Sequence, residues 1–109
     1  MIGLDSDALL ERLDGDREPM AHLIDLFLQD APDYLRSVQR SIAARDADGL
    51  HAAAHTLNGA AANLSANAVA DAAKALECIA RDGDLTGATV LSQTLHDAFD
   101  ELVSQLRVA

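Results

Sequence analysis

Along nearly the whole chain, apolar residues recur at steps of three and four, the spacing that gathers side chains on one side of an α-helix. One series runs Met20, Ile24, Phe27, Ala31, Leu35, Val38, Ile42, and a second runs Leu50, Ala54, Leu57, Ala61, Leu64. A third carries Val69, Ala73, Leu76 and Ala80 or Ile79, and the last carries Leu91, Leu95, Ala98, Leu102, Leu106. The intervals are polar: Arg45-Asp46-Ala47-Asp48-Gly49, then Ser65 to Asn67, then Asp82-Gly83-Asp84. No run alternates β-branched and polar residues between turn signals, so no strands are expected. A shorter stretch comes first: it starts at Asp5 or Ser6, carries Leu9, Leu10 and Leu13, and stops at Gly15. It is too short for a bundle member and is expected to be a lid. Four long amphipathic segments joined by short turns predict an all-α fold, an up-down-up-down four-helix bundle with a short extra N-terminal helix.

Several boundaries follow from local chemistry. The first long helix should begin near Asp16 with Pro19 in its first turn. Pro32 falls inside it while the apolar stripe keeps its phase, which predicts a kink or a brief break with helix on both sides. Ser65 and Asn67 are the candidate caps of the third long helix, and Asp84 or Thr86 of the fourth.

Composition narrows the core and the partners. Half of the residues are hydrophobic, yet the aromatics are only Phe27, Tyr34 and Phe99, so the core must be aliphatic and alanine-rich, which suits closely packed helices. A length of 109 residues fits one domain spanning 1–109. The formal charge of -10 would repel phosphate backbones and anionic lipid surfaces, which argues against nucleic acid and membrane partners. The single Cys78 excludes an internal disulfide, fits a reducing compartment and reads as a buried small hydrophobe. There is no basic-then-apolar leader and no apolar run near the ~20 residues of a membrane span, so the chain reads as cytoplasmic.

His55 is the candidate for chemistry. On a helical wheel it lies about 140° from the centre of the Leu50–Leu64 stripe and so faces solvent. Its helix neighbours are His51, Ala52, Asn58 and Gly59, with Ala62 one turn further on. The imidazole therefore rises from a clearing of small residues. Gly59 stands out, because glycine inside a helix costs about 1 kcal/mol relative to alanine. His22 and His96 fall away from their stripes and read as solvated, as do the abundant acidic residues.

The run His55-Thr56-Leu57-Asn58-Gly59-Ala60-Ala61-Ala62-Asn63-Leu64-Ser65-Ala66, with Leu76-Glu77 later, resembles the signature of histidine-containing phosphotransfer domains. The resemblance implies that His55 is the phosphoacceptor, that Gly59 is kept small for a docking receiver domain, and that Leu57 and Leu64 anchor the core. His51, Ala52, Asn58, Gly59 and Ala62 would border the docked partner. Asn58 stands where the family usually has lysine, and Ser65 where it usually has glycine. An asparagine offers a bound phosphoryl group only a neutral hydrogen bond, and a protonated His51 one turn away would restore part of the missing charge.

The implied function is a phosphorelay intermediate: His55 takes a phosphoryl group from a receiver-domain aspartate and passes it to another receiver. The chain has no G-x-x-x-x-G-K-[ST] loop and no kinase signature, so it reads as no enzyme in its own right, with catalytic groups and magnesium expected on the receiver. No cofactor and no metal site are expected, a hybrid sensor kinase is a further candidate partner, and a monomer is expected. Two rival readings stand beside this one. The first is a bundle that docks a receiver or an enzyme without exchanging phosphate. The second is a metal or haem site built on the i, i+4 pair His51 and His55; the wheel opposes it, since neither points into the core and the nearest acidic candidate is Asp48.

Overall fold

The structure is a computed structural model that describes residues 17–64 and 66–108, with side chains between 22 and 104. It contains four helices: α1 (Arg17–Ala43), α2 (Ala47–Asn63), α3 (Asn67–Asp82) and α4 (Ala88–Val108). Each packs on its neighbour in chain order, and α4 closes back onto α1, which makes an up-down-up-down bundle about 42 × 22 × 20 Å in extent. The expected short helix from Asp5 to Gly15, with Leu9, Leu10 and Leu13, lies outside the described residues.

The predicted stripes form the core. Phe27, Ala31, Leu35 and Val38 of α1 meet Leu50, Ala54, Leu57 and Ala61 of α2, Val69, Ala73, Leu76 and Ala80 of α3, and Leu95, Phe99 and Leu102 of α4. Alanines fill many of these positions, which lets the helix axes approach closely. One aromatic pair, Phe27 and Phe99, joins α1 to α4 with ring centroids 6.1 Å apart. Among the described residues no helix is long and apolar enough to cross a membrane.

The ends of the helices explain the turns. Past the last residues of α1 the amide of Asp46 reaches back to the carbonyl of Ser41 at 2.8 Å, with Arg45 in the left-handed region at φ 53°. That closing bond satisfies a terminal carbonyl and offsets much of the roughly 1–2 kcal/mol that a side chain costs in this conformation. Asp46 then caps α2: its carboxylate accepts from the amide of Gly49 at 2.9 Å.

Helix lies on both sides of Pro32 as expected, and of the two alternatives the break is excluded: α1 is continuous through the proline, with Ala31 and Leu35 on either side buried in the core. Three expectations need correction. The residue capping α3 is Ala66, which makes no side-chain cap bond, so Asn67 is the first helical residue and not the cap; Ser65 is outside the described residues. Asp84 accepts from the amide and hydroxyl of Thr86 in a local turn, and α4 starts only at Ala88. Cys78 is exposed, because it lies two positions from both Leu76 and Ala80 and so on the opposite face of α3.

Candidate functional site

α2 gives one face to the core and leaves the other, which carries His55, open to solvent. Leu50, Ala54, Leu57 and Ala61 are 0% exposed, whereas the His55 side chain is 70% exposed. Ala52, Gly59 and Ala62 are exposed beside it, and His51 and Asn58 are half-buried. The clearing expected around His55 is therefore present. A Cβ added at Gly59 would meet nothing within 4 Å, so the packing of this chain does not require the glycine.

The wheel of α2 alone missed what lies beside the clearing. Glu77 of α3 is buried, 3% exposed, and its Oε1 lies 2.8 Å from His55 Nδ1 and 3.7 Å from His51 Nε2. The two imidazoles are parallel within 2°, with centroids 6.2 Å apart, and turn different nitrogens toward the same carboxylate oxygen. Lys74, one turn earlier on α3, brings its Nζ to 3.6 Å from the other oxygen, Oε2. Oε2 is buried and has no hydrogen-bond partner among the described residues. The reading of every acidic residue as solvated fails here, and so does Asp48 as the nearest acid; Asp48 is exposed in the first turn of α2.

A signal for Glu77 was available. It is four residues after Ala73 and three before Ala80, both of them on the buried stripe of α3, so the helix period itself places this carboxylate at the seam with α2. Burial pushes its carboxyl up; the hydrogen bond from His55 and the charges of Lys74, His55 and His51 outweigh that and hold it below its ordinary value of 4.5. Glu77 is thus an ionised carboxylate at neutral pH.

Asn58 also reaches α3. Its side-chain amide donates one hydrogen bond to the backbone carbonyl of Ala70 on α3 at 2.9 Å, which ties the two helices together. His22 is exposed as expected, whereas His96 is half-buried in a groove with Gln39, Ile42 and Thr89. Among the described residues no group of three or more His, Cys, Asp or Glu could hold a metal ion.

Chemically, the arrangement presents one imidazole nitrogen to solvent and engages the other. A carboxylate can only accept hydrogen bonds, so the proton of a neutral His55 ring belongs on Nδ1 and the lone pair on Nε2. The result is an oriented nucleophile on a smooth surface.

Comparison with known proteins agrees with this geometry. The family model described as Hpt domain matches residues 22–108. The solved structure of histidine-containing phosphotransfer protein B (HptB) from Pseudomonas aeruginosa PAO1 superposes with a TM-score of 0.85 at 30% identity, covering 96% of this chain and 94% of that one. No curated protein sequence gives a significant match. With most of its length matched in sequence and nearly all of it in shape, the chain belongs to the Hpt domain family, the histidine phosphotransfer proteins of two-component phosphorelays.

Proposed function

We propose that His55 is the phosphoacceptor, taking a phosphoryl group on Nε2 from the aspartyl phosphate of one receiver domain and passing it to the aspartate of another. The observation that carries this reading is the 2.8 Å contact between His55 Nδ1 and the buried Glu77 carboxylate. It orients the ring and leaves Nε2 as the free nucleophile. As the Nε2 lone pair forms the P–N bond, the P–O bond to the donor aspartate breaks and its electron pair stays on that oxygen. The ring keeps its Nδ1 proton and becomes cationic, and Glu77 stabilises the charge as it develops. Delivery to the second receiver is the reverse of these steps.

In-line positioning and charge stabilisation are most of what phosphoryl transfer requires, so a fixed imidazole suffices from this side. The remaining catalytic groups and the magnesium ion belong to the receiver. Docking takes place over the exposed face of α2, where Ala52, Gly59 and Ala62 let the partner approach and His51 borders the contact. The protein acts as a monomer, and a hybrid sensor kinase is one source of the donor receiver. The carboxylate-held imidazole favours transfer over docking without exchange.

The test is incubation with a labelled phospho-receiver. Wild type takes up label and His55→Gln takes up none; equal uptake by the two proteins shows that another residue accepts. A wild type that binds the receiver and stays unlabelled supports docking without exchange.

A further inference from the structure

We infer that Lys74 of α3 is the cation that offsets the charge of a phosphoryl group on His55, exchanging its Glu77 partner for the phosphate when the ring is loaded. The inference rests on His55 being the acceptor. Loading brings a dianion close to a buried carboxylate, on a chain whose net charge is already -10. Like charges gathered at a partly dehydrated surface repel, so a nearby cation has a large influence on whether the loaded state is populated.

The neighbours of His55 on its own helix do not provide a permanent one. Ala52, Gly59 and Ala62 carry no charge. Asn58 is neutral, and one of its amide hydrogens goes to the Ala70 carbonyl. His51 is half-buried, is charged only when protonated, and has its Nε2 3.7 Å from Glu77 Oε1, the oxygen that His55 Nδ1 contacts.

Across the seam the position is different. Two cross-helix contacts, Asn58 to Ala70 and His55 to Glu77, set the register of α2 against α3. Lys74 lies between Ala70 and Glu77, so it rises from α3 alongside the stretch from Asn58 to His55. It is the sole lysine of the sequence. Its ammonium is 3.6 Å from Glu77 Oε2, too far for a hydrogen bond, and its side chain is 54% exposed. The cation is therefore close without being locked, on a flexible four-carbon stem. Arg81, four residues beyond Glu77 and toward His51, makes no contact with the carboxylate among the described residues.

The charges then regroup, and of the two negative charges on the phosphoryl group one is matched by Lys74 and one stays toward solvent. Before transfer, Lys74 balances Glu77. Afterwards the ring carries the positive charge formed when Nε2 bonds to phosphorus, and this imidazolium balances Glu77 through Nδ1–H. The ammonium is then released to pair with the phosphoryl oxygens.

The experiment measures the equilibrium partition of label between a phospho-receiver and this protein, for wild type, Lys74→Met and Lys74→Arg, over a salt series. Lys74→Met is expected to lower the ratio of phosphohistidine to phosphoaspartate about ten-fold, with Lys74→Arg within about twofold of wild type. The gap between wild type and Lys74→Met should narrow as ionic strength rises from roughly 0.05 to 0.5 M, since an exposed ammonium is screened. A thermal melt of Lys74→Met matching wild type shows that the bundle is intact. An unchanged partition in Lys74→Met, an arginine variant as low as the methionine one, or a gap indifferent to salt each overturns the inference. A wild type that takes no label overturns the acceptor reading and this one with it, whereas a labelled wild type with an unchanged methionine variant overturns this one alone.

Discussion

The two faces of α2 are built from similar small residues that are small for different reasons. On the inner face Ala54 and Ala61 are 0% exposed between Leu50, Leu57 and the other helices, so their size is set by what presses on them. On the outer face Ala52, Gly59 and Ala62 are exposed around His55. The two glycines of this helix show the contrast most directly. A Cβ at Gly49 would come within 2.5 Å of Asp46 Oδ2 and 3.0 Å of Ser41 Oγ, so the helix's own cap crowds that position. A Cβ at Gly59 would meet nothing within 4 Å. Smallness inside is a statement about packing, whereas smallness outside is not required by the fold and, on the proposed function, is room for a docking partner.

The largest test of that contrast sets Leu57→Ala against Ala52→Leu. Leu57 is fully buried, so truncation should cost about 2–5 kcal/mol, from lost transfer energy and the cavity left behind. Ala52 is exposed and should accept leucine within about 0.5 kcal/mol, while phosphotransfer falls by roughly ten-fold because the added bulk stands beside the imidazole. Urea denaturation and label uptake together read both quantities. The contrast breaks if Ala52→Leu loses stability as Leu57→Ala does, or if it transfers at the wild-type rate.

This division was legible in the sequence wherever one helix decided the answer. The period of three and four placed Leu50, Ala54, Leu57 and Ala61 inside and His55 outside, because both facts depend on angular position about a single axis. What depended on two helices was not legible from the wheel of α2. Glu77 is 22 residues from His55, and only the antiparallel pairing of α2 with α3 brings its oxygen to 2.8 Å. Asn58 is the same case: beside the histidine it looks available to a ligand, yet the register gives it the Ala70 carbonyl as partner. Caps failed for a local reason, since Asp84 finds its own turn partner in Thr86 and no helix amide is needed.

Glu77 stands where the two faces meet, which makes Glu77→Gln the next test. Glutamine still offers a carbonyl oxygen to His55 Nδ1–H but removes the charge. The native carboxyl lies below its ordinary value of 4.5, so between the two values the unfolded chain binds more protons than the folded one. Stability from the charge is therefore fully present above 4.5 and lost as pH falls through the native value. Wild type should exceed the variant by about 1 kcal/mol at neutral pH, and the difference should close on acidification below 4.5. Transfer to His55 at neutral pH should slow roughly ten-fold, because the developing imidazolium loses its counter-charge. Chemical denaturation across pH checks the first statement and rapid-quench labelling the second. A stability gap that widens toward acid would reverse the sign assigned to this carboxylate.

The finest test compares the two glycines by the same substitution. Gly49→Ala should fall well short of any gain, since its Cβ crowds the Asp46 carboxylate that caps the Gly49 amide at 2.9 Å, and a lost cap costs about 0.5–2 kcal/mol, enough to offset the roughly 0.5–1 kcal/mol that alanine contributes in a helix. Gly59→Ala should instead stabilise by about 0.5–1 kcal/mol, because alanine limits the unfolded chain, favours the helix and meets no atom of the fold. The same methyl adds bulk to the face proposed for docking, so receiver affinity should fall a few-fold, roughly 1 kcal/mol or less, while the melting temperature rises. Opposite signs in stability and affinity within one variant are what a glycine retained for a partner produces. A Gly59→Ala protein that is both more stable and bound as tightly as wild type would mean that the open space on α2 serves no docking surface.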